Sequence, residues 1–206
     1  MQSPKVYIVL VNYRKWEDCR DCLQSVLQST YVNYAVFVVD NNSGNNSLQH
    51  LIKWYEIKTE LEPQTPAQGS SYVLLNRTQL CERFDLATVP KVVFIQNDEN
   101  AGFAAGNNVV LNILYDTDAY FWLLNPDMVI QREALRELVQ YSTQLPDNSI
   151  VGSVILPFKD KYHGVIYGGA KVNFVSATVS WIHKRNAINQ LDYISGGCLF
   201  ARTSCL

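Results

Sequence analysis

Residues 6–43 read VYIVLVNYRKWEDCRDCLQSVLQSTYVNYAVFVVDNNS, and this stretch decides the fold. Two apolar runs rich in β-branched residues, 6–13 and 34–40, flank a segment from Trp16 to Thr30 in which apolar side chains recur at helical spacing. Strands without polar alternation are typical of parallel sheets that are covered on both faces. Because parallel strands need a crossover, the helix between them predicts a β-α-β unit.

The same alternation continues downstream. Polar residues follow the second strand, and Ser43 or Ser47 is expected to cap a helix that runs to about Tyr55. Residues 58–71 carry two prolines and a glycine and predict a surface loop. Further strands are predicted at 71–76, 91–98 and 119–127, helices at 102–116 and 132–144, and short strands at 149–157, 164–174, 177–182 and 198–202. The order predicts an α/β fold, a mostly parallel sheet flanked by helices with a mixed, strand-rich C-terminal part.

Composition narrows the class of protein. A chain of 206 residues without a low-complexity linker predicts a single domain over 1–206, and its net charge of −2 argues against a nucleic-acid partner. The apolar runs are shorter than the roughly 20 residues that span a bilayer. Five cysteines at irregular spacing form no disulfide framework, and Cys19 and Cys22 fit a helical pattern as small buried side chains. We therefore expect a soluble protein of the reducing cytoplasm.

Polar clusters directly follow four of the predicted strands. They are VNYR at 11–14, DNNS at 40–43, NDENAGFAAGNN at 97–108 and NPD at 125–127. In open parallel sheets, ligands bind beyond the carboxyl ends of the strands. These four clusters are therefore the candidate binding loops.

The NPD cluster is a candidate metal site. Asn125 and Asp127 lie two positions apart in an extended segment, so both can present oxygens to one point. Hard cations such as Mg²⁺ take oxygen ligands, often one or two from the protein with the rest from phosphates and water. The alternative is a local turn in which Asp127 caps the following segment, and the motif alone does not choose between the two.

The other clusters have equally open interpretations. Asp40 could accept hydrogen bonds from a base edge or a ribose, or it could form the turn with Asn42. Tyr13 offers an aromatic face for stacking a base, or it lies at the rim of the core. The small residues around Phe103 let a backbone approach phosphate or sugar oxygens closely, but the spacing Gly102-x-x-x-Gly106 is not the dinucleotide fingerprint.

Taken in order, the motifs resemble those of family 2 glycosyltransferases with the GT-A fold, especially the rhamnosyltransferase-like group. The motifs are VNY (11–13), VDNNS (39–43), NAGFAAGNN (100–108), LLNPD (123–127), YGGA (167–170) and YISGGCLFAR (193–202). The resemblance covers most of the chain except 58–90, which it marks as an insertion. It implies a sugar transferase that is inverting and metal-dependent, with Mg²⁺ or Mn²⁺, a donor of the UDP or dTDP type and a glycan or lipid-linked acceptor in cell-surface polysaccharide synthesis.

The resemblance also implies roles for individual residues. Val11 and Tyr13 would border the nucleobase, Asp40 would bind its edge beside Asn42, and Asp127 would be the charged metal ligand. The remaining nucleotide-sugar-binding residues would be Asn100, Gly102, Phe103, Gly106, Asn108, Asn125, Ser195, Gly196 and Gly197. Such an enzyme would work in the cytoplasm or as a peripheral protein at the inner face of the membrane.

The sequence departs from the family pattern at two places. Asn45 stands where the family often has Asp. The family continues, beyond the position of Arg202, into an acidic Glu-Asp segment whose Asp is the general base, whereas this sequence stops at Leu206. Asp192 is the nearby carboxylate that could substitute. The alternative prediction is a non-catalytic nucleotide-sugar-binding module that lacks the base, and a nucleotidyltransferase is a third option.

Overall fold

The structure is a computed structural model that describes residues 3–61, 72–158, 164–185 and 191–206. The helices are α1 (Trp16–Leu27), α2 (Ser47–Leu61), α3 (Arg77–Arg83), α4 (Gly102–Leu114) and α5 (Ala134–Ser142). The first six strands are β1 (Val6–Asn12), β2 (Tyr34–Asp40), β3 (Tyr72–Asn76), β4 (Val92–Gln96), β5 (Tyr120–Leu124) and β6 (Ile150–Gly152). The other six are β7 (Val154–Ile155), β8 (Ile166–Tyr167), β9 (Gly169–Asn173), β10 (Thr178–Trp181), β11 (Tyr193–Ile194) and β12 (Cys198–Arg202).

One seven-stranded sheet organises the molecule, with the strand order β3-β4-β2-β1-β5-β12-β6. The five strands from β3 to β5 in this order run parallel, and β12 runs antiparallel between β5 and β6. Two small antiparallel sheets, β10-β9-β11 and β7-β8, make up most of the C-terminal part. The predicted α/β fold with a strand-rich C-terminal part is confirmed.

The sheet is covered on both faces, as its apolar strands predict. Every residue of β1 and β2 is buried. On β1, Val6, Ile8 and Leu10 belong to the core under α1, α2 and α5, while Tyr7, Val9 and Val11 belong to the core under α3 and α4. Burying a side chain of this size stabilises the fold by about 1.5 to 3 kcal/mol, so these two strands anchor the sheet.

The antiparallel strand β12 sets the position of the loops around β5. Phe200 pairs with Trp122 across the two strands, and their rings meet edge to face with centroids 6.5 Å apart. Because the strands run in opposite directions, the residues just before β12 lie beside the residues just after β5. This places 195–197 next to 125–127.

Several local features differ from the sequence prediction: α3 and β11 were not predicted, and two further differences concern α2 and Ser43. α2 extends to Leu61 instead of ending near Tyr55, because no helix breaker occurs before Pro63 in the sequence. Ser43 does not cap α2, and its hydroxyl bonds to Asp40 and to the backbone of Arg14 instead.

The 58–90 stretch is partly built into the main sheet. Its strand β3 pairs with β4 at the edge of the sheet, and Asn76 and Gln79 then form a capping box at the start of α3. Residues 62–71 of this stretch lie outside the described residues. Across the described ranges, no helix is long and apolar enough to cross a membrane.

Candidate functional site

The carboxyl ends of the central strands carry polar residues and lie together at one end of the sheet. Asn12, the last residue of β1, is in register with Asp40, and Asp40 is in register with Gln96 at the end of β4. β1 separates β2 from β5. At the usual strand spacing, the ends of β2 and β5 therefore lie about 10 Å apart at this end.

Asp40 lies at the centre of a buried hydrogen-bond network. Its Oδ1 accepts from Asn12 Nδ2 at 2.8 Å and from Ser43 Oγ at 2.6 Å, and its Oδ2 accepts from the Ser43 N–H at 3.0 Å and from Gln96 Nε2 at 3.2 Å. The residue is only 2% exposed. Both carboxylate oxygens are thus engaged by the protein itself, so in this structure Asp40 fixes the floor of the strand-end region instead of presenting a free oxygen there.

Tyr13 lies above this floor at the end of β1. Its ring is 41% exposed, and the Arg14 guanidinium lies 5.1 Å from the ring centroid. Arg14 adopts φ 60° and is held there because its N–H donates to Ser43 Oγ at 2.8 Å. The Asp40 network therefore also fixes the loop that carries the exposed aromatic ring.

A second network ties the start of α4 to the end of β2. Asn41 Nδ2 donates to Asn100 Oδ1 at 2.7 Å and to the Gly102 carbonyl at 3.2 Å, and Asn97 Nδ2 donates to Asn41 Oδ1 at 3.0 Å. Asn42, at φ 55°, donates to the Asp98 carbonyl at 2.8 Å. These amides hold the NDENAG loop against the DNNS loop.

α4 packs against β1 through a glycine. A Cβ placed on Gly106 would come within 2.7 Å of Val11 Cγ1, a distance that real Cβ atoms do not show. Only glycine allows this close approach of helix and strand. It places the N-terminal turn of α4 at the same end of the sheet, where the Gly102 N–H donates to Asn100 Oδ1 at 3.0 Å.

The NPD segment lies at the end of β5, against the loop before β12. The Asn125 N–H donates to the Gly197 carbonyl at 2.8 Å, and the Met128 N–H donates back to the Asn125 carbonyl at 3.1 Å. A Cβ on Gly197 would lie 2.8 Å from Met128 Cε and 3.1 Å from Asn125 Nδ2. The glycine therefore lets the two loops touch.

Asp127 is the exposed carboxylate of this segment. It makes no hydrogen bond or ion pair with any residue that the structure describes, in contrast to Asp40. Burial raises the pKa of the nearby Cys22 thiol well above its ordinary value, and the negative charge of Asp127 contributes to the rise. Cys22 Sγ lies 3.7 Å from the Asn125 carbonyl oxygen, beneath the turn.

The donor set at this turn fits a cation that brings further ligands with it. Among the described residues, no group of three or more His, Cys, Asp or Glu side chains could hold a metal ion alone. One free carboxylate beside one amide matches the small protein share of a Mg²⁺ site whose other ligands come from phosphate and water.

Three other predicted residues lie apart from these contacts. Asn108 lies on the outer face of α4, where it lines a groove together with Asn112. Phe103 is 46% exposed in the first turn of α4. Asp192 Oδ2 accepts from the Val172 N–H at 2.8 Å, so this carboxylate fastens the start of β11 to β9.

The residues before β12 form a turn. The Ser195 N–H donates to the Gly168 carbonyl at 3.0 Å, and the Cys198 N–H donates to the Ser195 carbonyl at 3.2 Å. Gly196 between them is exposed. The turn faces the NPD segment through Gly197, so Ser195, Gly196 and Gly197 do belong to the same end of the sheet as Asn125.

The sequence reasoning missed the buried residues that build this region. Asn12, Asn41, Ser43 and Asn97 are each at least nine-tenths buried and make the hydrogen bonds described above. One signal was available, because Asn12 is the single polar residue of an otherwise apolar strand. A buried polar side chain requires a partner, which Asp40 supplies.

Solved structures show what class of fold this is, the GT-A-like fold of glycosyltransferases. The chain is similar to a mannosyltransferase from Pyrobaculum calidifontis in complex with GDP-Man and Mn²⁺, with a TM-score of 0.54 and 16% identity over 79% of this chain and 38% of the other. It is also similar to residues 1–349 of TarS from S. aureus in complex with UDP, with a TM-score of 0.53 and 16% identity over 97% of this chain and 47% of the other.

The same TarS fragment in complex with UDP-GlcNAc gives a TM-score of 0.53 at 16% identity, over 97% of this chain and 46% of the other. The chain thus spans less than half the length of these structural relatives. The sequence matches no protein-family model and no curated protein.

Proposed function

We propose that this domain binds a nucleotide-diphosphate sugar and forms the donor-binding part of an inverting family 2 glycosyltransferase of the rhamnosyltransferase-like group. One observation carries the proposal: Asp127 presents a carboxylate with no partner among the described residues, just after β5, at the end of the sheet where β1, β2 and β4 also end. The other strand-end carboxylate, Asp40, is buried and fully bonded. A free carboxylate at this position suits a ligand that arrives with a metal-bound diphosphate.

The arrangement gives each part of the donor a place. The exposed ring of Tyr13, beside Val11, would stack on the nucleobase, over the floor that Asp40 and Asn42 shape. The first turn of α4, with Asn100, Gly102, Phe103 and Gly106, would face the ribose and the sugar. The ends of β2 and β5 lie about 10 Å apart, a separation that a nucleoside diphosphate can bridge.

Asp127 and Asn125 would hold the divalent cation, Mg²⁺ or Mn²⁺. When bound, such an ion neutralises the charge that develops on the leaving diphosphate. The Pyrobaculum relative was solved with Mn²⁺ and GDP-Man, which supports a divalent ion in this fold. Asn108, which faces the outer groove, is proposed to help from the second turn of α4.

Transfer also needs an acceptor and a base. The acceptor would be a hydroxyl of a glycan or lipid-linked sugar near Ser195, Gly196 and Gly197, in polysaccharide synthesis in the cytoplasm or at the inner face of the membrane. Asp192 is the candidate base within this sequence. Its Oδ1 makes no hydrogen bond within the described ranges, so one oxygen remains available to accept a proton.

Thermal unfolding tests donor binding directly. UDP, dTDP and GDP, each with Mg²⁺ or Mn²⁺, are added at increasing concentration to the purified chain. A nucleotide at 100 times its Kd should raise Tm by about 5 °C, because binding only to the native state stabilises it. The absence of any shift at millimolar nucleotide with either metal would contradict the proposal. Hydrolysis of the matching nucleotide sugar, and its loss in Asp192→Asn, would separate an enzyme from a binding module.

A further inference from the structure

A groove runs along the outer face of α4, away from the contact between Gly106 and Val11. Its first section has a volume of about 480 Å³ and lies between the start of α3 and the first turns of α4. Its second section has a volume of about 530 Å³ and reaches the end of α4. Asn108 and Asn112 line both sections, so the two are continuous. Each section has the size of a small-molecule site.

The groove wall combines amides, charged groups and an aromatic ring. Asn97, Asn108 and Asn112 supply amides, Arg77 supplies a guanidinium, and Asp98 and Glu99 supply carboxylates. Tyr115 and Asp116 line the far section, and Tyr115 is 63% exposed. The side chains of Asn108 and Asn112 make no hydrogen bond within the part of the chain that the structure describes.

One residue of the wall, Asn97, is buried beneath the surface of the groove. Asn97 is 7% exposed, its Nδ2 donates to Asn41, and its Oδ1 has no hydrogen-bond partner in the described structure. Buried polar atoms without partners are uncommon and costly. The Asn97 oxygen is closed off from the open groove and would be satisfied by a buried water, so the ligand contacts are assigned to Asn108, Asn112 and Tyr115.

The charge of the groove restricts the ligand. One arginine faces three carboxylates, Asp98, Glu99 and Asp116, so the lining is net negative and disfavours phosphates and other anions. Carboxylates accept hydrogen bonds, and amides both donate and accept them. This lining suits sugar hydroxyl groups, which also donate and accept hydrogen bonds. Tyr115 offers a flat apolar face to a sugar ring.

We infer that this groove binds a neutral oligosaccharide of several residues, held along Asn112 and Tyr115 beyond the 97–108 loop that borders the strand-end region. This inference goes beyond the proposed donor binding and does not depend on it. Asparagine is a poor helix former compared with alanine, so Asn112 on the exposed face costs helix stability that saccharide binding would explain.

Titration calorimetry and saturation-transfer NMR test the inference. The probes are linear neutral tetrasaccharides of glucose, mannose, rhamnose and N-acetylglucosamine at millimolar concentration. We expect at least one to bind, with affinity about fivefold weaker in Asn112→Ala and about tenfold weaker in Tyr115→Ala. Asn112→Ala should fold at least as well as the parent, because alanine favours the helix.

Matched controls are available on other helices. Gln24→Ala removes an exposed amide from α1, and Tyr141→Ala removes an exposed tyrosine from α5. Both should bind the tetrasaccharide as the parent does. Asp127→Ala should also leave saccharide binding unchanged, and Asn112→Ala should leave any nucleotide-induced shift of Tm unchanged, so failure here is distinct from failure of the proposed function.

Several outcomes would overturn the inference. They are no binding by any tetrasaccharide, equal weakening by the control variants, or preferential binding of a lysine-rich peptide. The last result would mean that the negative lining serves a cationic partner.

Discussion

The side-chain amide of Asn12 donates to Asp40 Oδ1 across 2.8 Å, and both residues are buried at the ends of neighbouring strands. The same carboxylate receives three further hydrogen bonds, two from Ser43 and one from Gln96. A buried carboxylate is tolerated only when its oxygens are bonded in this way. The contact thus both stabilises the pairing of β1 with β2 and fixes the positions of the loops that follow them.

Asp40→Asn should destabilise the protein by about 2 to 4 kcal/mol, because an N–H₂ group would replace an oxygen that faces donors. Urea unfolding followed by circular dichroism measures the change. Asp116→Asn, an exposed residue, serves as the control and should change the free energy of unfolding by less than about 0.5 kcal/mol. Equal stability of Asp40→Asn and the parent would refute the structural role of this network.

Gly106→Ala should destabilise the protein by about 1 to 3 kcal/mol, because the new methyl group would collide with Val11. The double variant Gly106→Ala with Val11→Ala removes the collision and should lose less stability than the two single changes added together. Simple additivity in this cycle would show that α4 does not rest on β1 at this point.

Lys91 should make stability depend on pH. Burial, with a smaller contribution from the positive charge of Lys5, lowers its pKa to about 7. The amine donates to the carbonyls of Val32 and Tyr34 at 3.2 and 3.3 Å, and these contacts favour the charged form without outweighing burial.

The sign follows from proton binding. Because the pKa of Lys91 is lower in the folded state than in the unfolded chain, the folded state holds fewer protons above pH 7 and stability rises with pH. Lys91→Met does not titrate, so its free energy of unfolding lacks this pH dependence. The difference in free energy of unfolding between Lys91→Met and the parent should therefore change by about 1 to 3 kcal/mol in favour of the parent from pH 6 to pH 9. Parallel pH profiles of the two proteins in urea unfolding would contradict this.

Four of the five cysteines should react with a thiol reagent in two groups. Cys81 is exposed, whereas Cys19, Cys22 and Cys198 are buried, and burial raises the pKa of all three buried thiols. Reaction requires an accessible thiolate. Under native conditions at pH 8, Cys81 should be modified first and these three only after urea is added. Rapid native labelling of Cys22 would show that the turn beneath Asp127 is open.

The sequence could predict the central strands and the longer helices because their apolar patterns are clear, but it could not predict side-chain partners. Whether Asp40 offers a free oxygen depends on Gln96, which lies 56 residues away. The placement of Asn108 was within reach of the sequence. A helix turns about 100° per residue, so Asn108 must point roughly opposite to Gly106, which faces β1.

The NPD segment shows the same division. The pattern of Asn125 and Asp127 after an apolar strand left a metal site and a local turn capped by Asp127 open, and Asp127 makes no hydrogen bond with another described residue. The neighbour of this segment across the sheet, Gly197, was marked by the resemblance of motifs, and the antiparallel pairing of β12 with β5 explains why the two meet. The antiparallel direction of β12 could not be read from residues 198–202, because the composition of so short a run suits either orientation.

The role of Asp127 is the central claim, and calorimetric titration of the best-binding nucleotide with and without Mn²⁺ tests it most directly. We predict that Mn²⁺ tightens nucleotide binding to the parent at least tenfold. Asp127→Ala should abolish this effect because it removes the one charged metal ligand, and it should leave the metal-free affinity within twofold of the parent. Asp21→Ala, an exposed change on α1, should behave as the parent. Unchanged Mn²⁺ dependence in Asp127→Ala would contradict the assignment of Asp127 as the metal ligand.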